Sequence, residues 1–363
     1  MIKTADGKIG TREFFSIIIL DIGIKATDTT PNFLFTDGKN AAWMMPIFSF
    51  VIILIPFLLL LSLLKKHEKG LMELLFNLTG KYIGGIIGFG LFLIVFSGTF
   101  INSRSYIDIV NVMFYPKAPV LLLLFLLLGV ASFLVAKRGF EAIGRTAWFL
   151  IPTIHIMLIL LIILSWKELD WVRLFPIAGP GVTHIMKKSI THSSLYGDII
   201  LFAVFFSFIR NYKSFRLASF LGLGFSCAII AVFLAIYTMV FDYPEIINMA
   251  YPYQQLTRIA SLGEIITHVE AIFLGIWVIS AAIHFAITLY LSAYLFAGAL
   301  QLTEFEPLIL PFAGLALLLG LHEENIFQVT TLREILFISS SWIFILLPFF
   351  LWTVDRWKGR VKE

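Results

Sequence analysis

The sequence is 363 residues long, 59% of it hydrophobic and 14% charged, with a net charge of +4. A soluble core of this size cannot bury so much apolar surface, so these numbers exclude a soluble globular protein and predict a polytopic membrane protein. The basic residues lie in short loops, which is typical of membrane topology, and we expect no nucleic-acid partner. Cys227 is the single cysteine, which excludes a disulfide framework and a cysteine metal site.

Ten apolar segments are candidate membrane spans, because a span needs about 20 mostly apolar residues. The runs are too long and uninterrupted for β-barrel strands, so we predict an all-α protein. The ten segments are residues 13–36, 41–64, 82–113, 118–136, 146–166, 192–211, 217–241, 264–298, 307–321 and 334–354.

The distribution of Lys and Arg between the loops predicts the orientation. With the N-terminus in the cytoplasm, seventeen of these residues fall on the inner side and eight, Arg333 among them, on the outer side. The positive-inside rule then places both termini in the cytoplasm. Glu13 opens the first segment and no small-residue cleavage signature is present, so we expect a retained span and no cleaved signal peptide.

We expect a single membrane domain, residues 1–363, built from two halves of five segments. The halves are about residues 11–166 and 184–354. The longest polar stretches, 167–191 and 242–263, should lie on the outer side. The second of them is rich in Tyr and Pro and should form a partly helical cap over the spans.

The first and sixth segments are each interrupted by residues that disfavour a membrane helix. The first contains GIKATDTTP, residues 23–31, and the sixth begins with SSLYGD, residues 193–198. The two segments hold the same place in the two halves, and paired interruptions of this kind indicate a transporter-type binding site. Unwinding exposes backbone groups that a ligand, an ion or enclosed water can satisfy, and the resuming helix favours a carboxylate at its N-terminus.

Structural interpretations of the intramembrane charges stay open. Asp21 and Lys25 are four residues apart, as are Arg104 and Asp108 in the third segment, and each pair could neutralise itself along one helix face. Asp198 could cap the helix that resumes in the sixth segment. Each intramembrane charge costs about 2.5–3.5 kcal/mol on insertion scales, however, so a cluster of several indicates a function.

Glu270, Trp277 and His284 in the eighth segment are spaced by seven residues and therefore share one helical face. A single His in a membrane helix is more often a hydrogen-bonded packing residue than a ligand, and the same holds for His155 in the fifth segment. Neither has a second His at metal-ligand spacing, so no metal site is predicted.

Sequence motifs of enzymes and of ATP-driven pumps are absent. The chain has no G-x-S-x-G, P-loop or dinucleotide-binding motif. HEENI at residues 322–326 begins like a zinc-protease motif, but Ile326 stands where the second His must be. We therefore expect neither an enzyme nor a cofactor, which leaves ligand binding, permeation or both.

Several motifs, in order along nearly the whole chain, carry a resemblance to one family. They are TREFF (11–15), Pro31, Arg104 with Asp108, RGFEAIGR (138–145), Pro152, YGDIILF (196–202), YPYQQLTRIASLGE (251–264), VEAIFLGIW (269–277) and EPLILP (306–311). In these residues the chain resembles the spore germination permeases, the B subunits of Ger-type nutrient germinant receptors within the amino acid/polyamine/organocation transporter superfamily.

The resemblance implies a five-plus-five inverted repeat of the LeuT type, with helices one and six unwound at a central site. It also implies the inner membrane of a bacterial cell or spore, and assembly with an A subunit and a lipoprotein C subunit. Such a chain binds a small nutrient, typically an amino acid, and relays binding to germination through the A subunit. This sequence departs from the family in its charged first interruption, in His284 where Lys is frequent, and in Trp148 where an acid is frequent.

The predicted ligand site combines the two interruptions with helices three and eight. Backbone groups at the interruptions should hold an amino group and a carboxylate, and Lys25 either pairs with the ligand's carboxylate or occupies an ion position. The predicted ligand-binding residues are Gly23, Ile24, Lys25, Asn102, Ser194, Tyr196, Gly197 and Ser280. The coupling or gating candidates are Asp21, Arg104, Asp108, Asp198, Glu270 and His284.

Two other functions fit the same residues. The first is an autonomous proton-coupled amino-acid transporter, in which Asp198, His284 or Glu270 titrates; uptake without other subunits would favour it. The second is a scaffold with a vestigial site that anchors its partner, and in that case mutations in the site would spare germination.

Overall fold

A computed structural model of the chain describes residues 7–260, 269–322 and 325–362. The regular structure within these ranges is helical, and six helical stretches in them are long and apolar enough to cross a membrane, which confirms the all-α membrane class. The six are Thr30–His67, Leu71–Met113, Phe140–Leu164, Tyr212–Phe241, Glu270–Ala299 and Ile326–Gly359. Shorter apolar helices cover Val120–Ala136, Asp198–Phe208 and Glu306–His322.

The first predicted segment is interrupted where the sequence indicates. Helix α1 (Thr11–Ile22) gives way to a 3-10 turn at Gly23–Ala26, and the chain resumes as helix α2 (Thr30–Gly38). The Asp28 carboxylate accepts a hydrogen bond of 2.6 Å from the backbone N–H of the first residue of α2. Side-chain bonding of this kind replaces helical bonding, and Pro31 is tolerated because the first turn of a helix does not need its N–H.

The sixth predicted segment is interrupted as well. Helix α8 (Val182–Thr191) is followed by a 3-10 turn at Ser193–Tyr196, the short helix α9 (Asp198–Leu201) and a second 3-10 stretch at Phe202–Phe208. A glycine holds the N-cap of α9, and Asp198 is the first residue of that helix. The interpretation of Asp198 as a helix cap is therefore wrong.

The remaining helices complete the bundle and its cap. They are α3 (Met45–His67), α4 (Leu71–Met113), α5 (Val120–Leu124), α6 (Phe133–Ala136), α7 (Phe140–Leu164), α10 (Tyr212–Phe241), α11 (Tyr243–Asn248), α12 (Pro252–Ile259), α13 (Val269–Ala299), α14 (Ile309–His322) and α15 (Ile326–Lys362). Helices α11 and α12 occupy the stretch that the sequence predicts to be a partly helical cap. The end of that stretch (261–263) and the start of the eighth predicted segment (264–268) lie outside the described residues.

Packing brings the two interrupted segments together. Helix α1 lies against α7 and α10, while α4 lies against α13 and α15. Just before α1, the Ile9 N–H donates to the Phe208 carbonyl at 3.0 Å, and the Arg210 N–H donates to the Ile9 carbonyl at 3.1 Å. These bonds join the residues that precede α1 to those that follow the second interruption. A cavity lies between the two interruptions themselves.

Candidate functional site

A polar cavity of about 100 Å³ lies where the two interruptions meet. Helices α4, α13 and α15 complete its wall. The cavity is small beside the about 300–1,000 Å³ of drug-sized ligand sites, so it suits a small solute. Its polar lining residues are Asp21, Lys25, Thr30, Asn102, Ser194, Asp198, His284, Thr288, Arg333 and Ser340.

Lys25 reaches from the first interruption into the second. Its ammonium group donates to the backbone carbonyls of Ser194 at 3.3 Å and Leu195 at 3.0 Å, and it forms an ion pair with Asp198. An ammonium group has three N–H donors, and these acceptors use all three. The interpretation in which Lys25 neutralises Asp21 along one helix face is wrong, because α1 ends between the two residues.

Arg333 belongs to this site although the sequence indicates an outer loop for it. It lies inside α15 with 6% of its surface exposed. Its guanidinium group donates to Asn102 Oδ1 at 2.7 Å and Thr30 Oγ1 at 3.0 Å, and it forms an ion pair with Asp28, which also accepts from the Tyr106 hydroxyl at 3.3 Å. A buried charge needs a partner, so Asp28, the acid within GIKATDTTP, is the sequence signal that points to a basic partner such as Arg333.

Asp21 and His284 form a third close contact between ionisable groups at the cavity. Asp21 Oδ1 and His284 Nδ1 are 2.8 Å apart, and both side chains are buried. The Tyr106 ring stacks on His284 and on Trp277, with centroid distances of 6.0 and 4.9 Å. His284 is therefore the partner of an acid, and the described residues contain no group of three His, Cys, Asp or Glu side chains that could hold a metal ion.

The predicted ligand-binding residues do not all face this cavity. Three of them line it: Lys25, Asn102 and Ser194. Three others line a second, mainly apolar cavity of about 50 Å³ beside α7 and α13: Gly23, Ile24 and Ser280. Neighbouring residues of a helical segment point in different directions, so the residues of the first interruption contribute to two separate cavities.

Tyr196 and Gly197 shape the second interruption by packing. Tyr196 is fully buried, and its ring centroid lies 6.1 Å from that of Phe50. A Cβ atom on Gly197 would lie 1.9 Å from Phe344 Cδ2, so this close approach requires glycine. Both residues act on the site through the shape of the backbone, since the polar cavity is lined by their neighbours.

The coupling candidates also separate into two groups. Arg104 and Asp108 pair with each other along α4, with 3.0 Å between Nε and Oδ1, which confirms the structural interpretation of their spacing. Glu270 is half-buried in the first turn of α13. These three lie away from the lining of the polar cavity, whereas three other candidates are part of it: Asp21, Asp198 and His284.

Comparison with known proteins gives a consistent result. A family model described as "Spore germination protein" matches residues 8–329. "Spore germination protein KB" of Bacillus subtilis (strain 168) is 22% identical over 374 aligned positions, which cover 98% of this chain and 96% of that protein. "Spore germination protein XB" of Bacillus anthracis is 24% identical, covering 77% of this chain and 79% of its own length. "Spore germination protein A2" of Bacillus subtilis (strain 168) is 28% identical, covering 63% of each chain.

Proposed function

The chain belongs to the spore germination protein family, and from that premise we propose that it is the nutrient-sensing membrane subunit of a spore germinant receptor. A small nutrient binds in the polar cavity, and its binding is relayed to partner subunits to trigger germination. The observation that carries this proposal is the meeting of two interrupted helices around a polar cavity inside an apolar bundle.

The charges at the cavity support a binding role. Replacing buried ion pairs by well-packed apolar residues is often neutral or stabilising, so stability alone does not account for several pairs in one place. Two ion pairs and one Asp–His contact converge on this cavity: Lys25–Asp198, Arg333–Asp28 and His284–Asp21. Their concentration favours the recognition of a polar solute.

For the fold we propose ten spans in an inverted repeat of residues 11–166 and 184–354, with both termini on the cytoplasmic side of the inner membrane. The paired interruptions support the repeat. The position of Arg333 inside α15 removes one basic residue from the outer loops and increases the inward excess of positive charge. Cysteine labelling in intact cells tests this: in a Cys227→Ser background, a cysteine at Lys188 should react with an impermeant reagent and one at Lys8 should not.

For the partners we propose an A subunit and a lipoprotein C subunit, as the resemblance implies. Co-purification of the tagged chain with these two subunits tests the assembly. Germination of spores that carry nutrient-site variants tests the relay, because a relay requires the variants to assemble normally and yet to lose the nutrient response.

Binding at the polar cavity is tested by comparing the two cavities. We expect Asn102→Ala, in the polar cavity, to weaken binding of the nutrient that triggers germination by about tenfold or more, about 1.4 kcal/mol. Ser280→Ala, in the apolar cavity, should leave binding unchanged. Equilibrium binding of radiolabelled nutrients to the purified receptor measures both, and a loss confined to Ser280→Ala would move the site to the other cavity.

A second function, an autonomous proton-coupled transporter, is favoured by one observation. The Asp21–His284 contact places a carboxylate and an imidazole 2.8 Å apart at the cavity, which is within reach for a proton to pass between them. Uptake of a nutrient into proteoliposomes that contain this chain alone, driven by a pH gradient, would establish transport. Binding without uptake would leave the sensor.

A further inference from the structure

The nutrient class can be narrowed further, on the basis of the proposed nutrient-binding function. At interrupted helices, free carbonyls suit a cation and a helix N-terminus suits a carboxylate. We propose that Lys25 and Asp28 permanently occupy these two positions, so that the nutrient of this receptor is an uncharged, hydroxylated solute and not an amino acid.

The ammonium position is the second interruption. Its exposed carbonyls, those of Ser194 and Leu195, accept hydrogen bonds from Lys25 at 3.3 and 3.0 Å, and Asp198 supplies the countercharge. A nutrient's amino group would need the same acceptors. Since all three N–H donors of Lys25 are engaged, Lys25 also has no donor left for a nutrient's carboxylate.

The carboxylate position is the N-terminus of α2. Asp28 Oδ1 accepts the Thr30 backbone N–H at 2.6 Å, while Oδ2 accepts the Tyr106 hydroxyl at 3.3 Å and pairs with Arg333. The protein thus carries the ammonium and the carboxylate of a zwitterion in its own side chains. GIKATDTTP, the charged stretch of the first interruption, contains both.

An amino acid that displaced Lys25 and Asp28 from these positions would gain no binding free energy. A nutrient's ammonium could replace Lys25 only by leaving a second ammonium in the same buried space. Besides Asp198, the acid that lines the cavity is Asp21, and its Oδ1 lies 2.8 Å from His284 Nδ1. A nutrient's carboxylate would strand Asp28 in the same way. Unpaired buried charges are costly, so the exchange is unfavourable at both ends.

An uncharged solute with hydroxyl groups avoids this conflict. It adds no charge beside the Lys25–Asp198 and Arg333–Asp28 ion pairs, and hydroxyls both donate and accept hydrogen bonds. Neutral polar groups and three phenylalanine rings line the cavity: Asn102, Thr288, Ser340, Phe202, Phe337 and Phe344.

Chemical rescue tests whether the second interruption is an ammonium site. Lys25→Ala should leave the two carbonyls and Asp198 without a cation, and its thermal midpoint should fall by several degrees. Methylammonium chloride should restore the midpoint, while sodium chloride at the same concentration should not. Lys188→Ala is the matched control, because it removes a lysine that pairs with Asp37 outside the cavity. Its thermal midpoint should not respond to methylammonium. Failure of methylammonium to rescue Lys25→Ala would overturn the proposed ammonium site.

Matched ligands test the nutrient class in the wild-type receptor. L-alanine carries an ammonium group where L-lactate carries a hydroxyl group, and both carry a carboxylate. D-glucose and myo-inositol represent uncharged hydroxylated solutes. We expect stabilisation of the wild type by a member of the uncharged group and by neither charged compound, and a gain of alanine binding of about tenfold in Lys25→Ala.

Two outcomes of the ligand test count against the proposals, and they are distinguishable. The first is binding of alanine to the wild type while Lys25 stays in place, which mass spectrometry would detect as protection of Lys25 from reductive methylation. That outcome would overturn this inference and leave the nutrient-sensing function intact. If spores with this receptor alone germinate with no amino acid and no uncharged solute, the proposed function falls and the inference falls with it.

Discussion

The freed backbone groups of the two interrupted segments are satisfied in opposite ways. In the first, residues 23–29 carry charge, and their freed backbone groups are satisfied from elsewhere: Tyr237 donates to the Ala26 carbonyl at 2.8 Å and Gln254 to the Thr27 carbonyl at 3.3 Å. In the second, the turn at 193–196 is uncharged, and its carbonyls receive Lys25 from the first. One interruption therefore supplies the charge that the other needs.

The two interruptions therefore form one unit. Neither could be exchanged for the other. The second interruption offers free carbonyls, which need a cation or water, and Lys25 of the first interruption supplies the cation. Substitutions that act on one interruption at a time test how much each interruption contributes to the stability of the unit.

The largest effect is expected for Arg333→Met, which removes the ion pair between Arg333 and Asp28 of the first interruption. Removing one partner of a buried ion pair leaves an uncompensated charge and costs about 3–5 kcal/mol. Here the stranded group is Asp28, which keeps its bonds to Thr30 and Tyr106. The thermal midpoint of the purified chain should fall strongly.

The double variant Arg333→Met/Asp28→Asn is the control for this prediction. It removes both charges, so it should be more stable than Arg333→Met alone. If the single and double variants are equally stable, Arg333 acts by packing and not by charge, and the first interruption is not held electrostatically.

The apolar helices and the two interruptions could be predicted from sequence, while the side-chain pairs that join the interruptions could not. Apolar runs mark the helices, Thr, Asp and Pro mark the first interruption, and the i,i+4 spacing of Arg104 and Asp108 predicts their pairing. All of these signals are local.

The pairs that build the site join residues far apart in the chain. Lys25 and Asp198 are 173 residues apart, and Asp28 and Arg333 are 305 apart. No periodicity connects such positions. For the same reason the sequence could not show that Lys25 and Gly23 face different cavities, since that depends on which helix packs on each side of the turn.

A second test uses the glycine of each interruption. Gly197→Ala should destabilise the chain by about 3 kcal/mol, at the upper end for overpacking, because the new Cβ would lie 1.9 Å from Phe344 Cδ2. Gly23→Ala should be nearly neutral, because its Cβ would make ordinary contacts, the nearest at 3.6 Å from Ile19 Cγ2. Thermal unfolding of both variants measures the difference, and equal losses would show that the two turns are packed alike.

A third test removes one external hydrogen bond from each interruption. Ser341→Ala should cost about 1–2 kcal/mol, because it leaves the Ser194 N–H, now bonded to Ser341 Oγ at 2.9 Å, without an acceptor in a buried place. Tyr237→Phe removes the donor to the Ala26 carbonyl and should cost about 1 kcal/mol, since an unpaired carbonyl is tolerated better than an unpaired N–H.

Tyr251→Phe is the control for the loss of a tyrosine hydroxyl. The Tyr251 hydroxyl is buried and has no hydrogen-bond partner among the described residues, so its removal should be neutral or slightly stabilising. A loss for Tyr251→Phe as large as that for Tyr237→Phe would mean that the tyrosine hydroxyls matter for a reason other than the backbone of the first interruption.

The smallest effect is expected where the two segments touch outside the cavity. Lys188, just before the second interruption, lies 2.8 Å from Asp37 at the end of α2, and its side chain is 41% exposed. An exposed ion pair contributes about 0.2–1 kcal/mol and is screened by salt, so Lys188→Ala should lower the thermal midpoint slightly at low salt and not at high salt. Lys187→Ala, at an exposed neighbouring position, controls for the loss of one charge. If Lys188→Ala destabilised the chain as much as Arg333→Met, the two interrupted segments would be held together by the contact at their ends. The ion pairs between the interruptions would then not be what stabilises their packing.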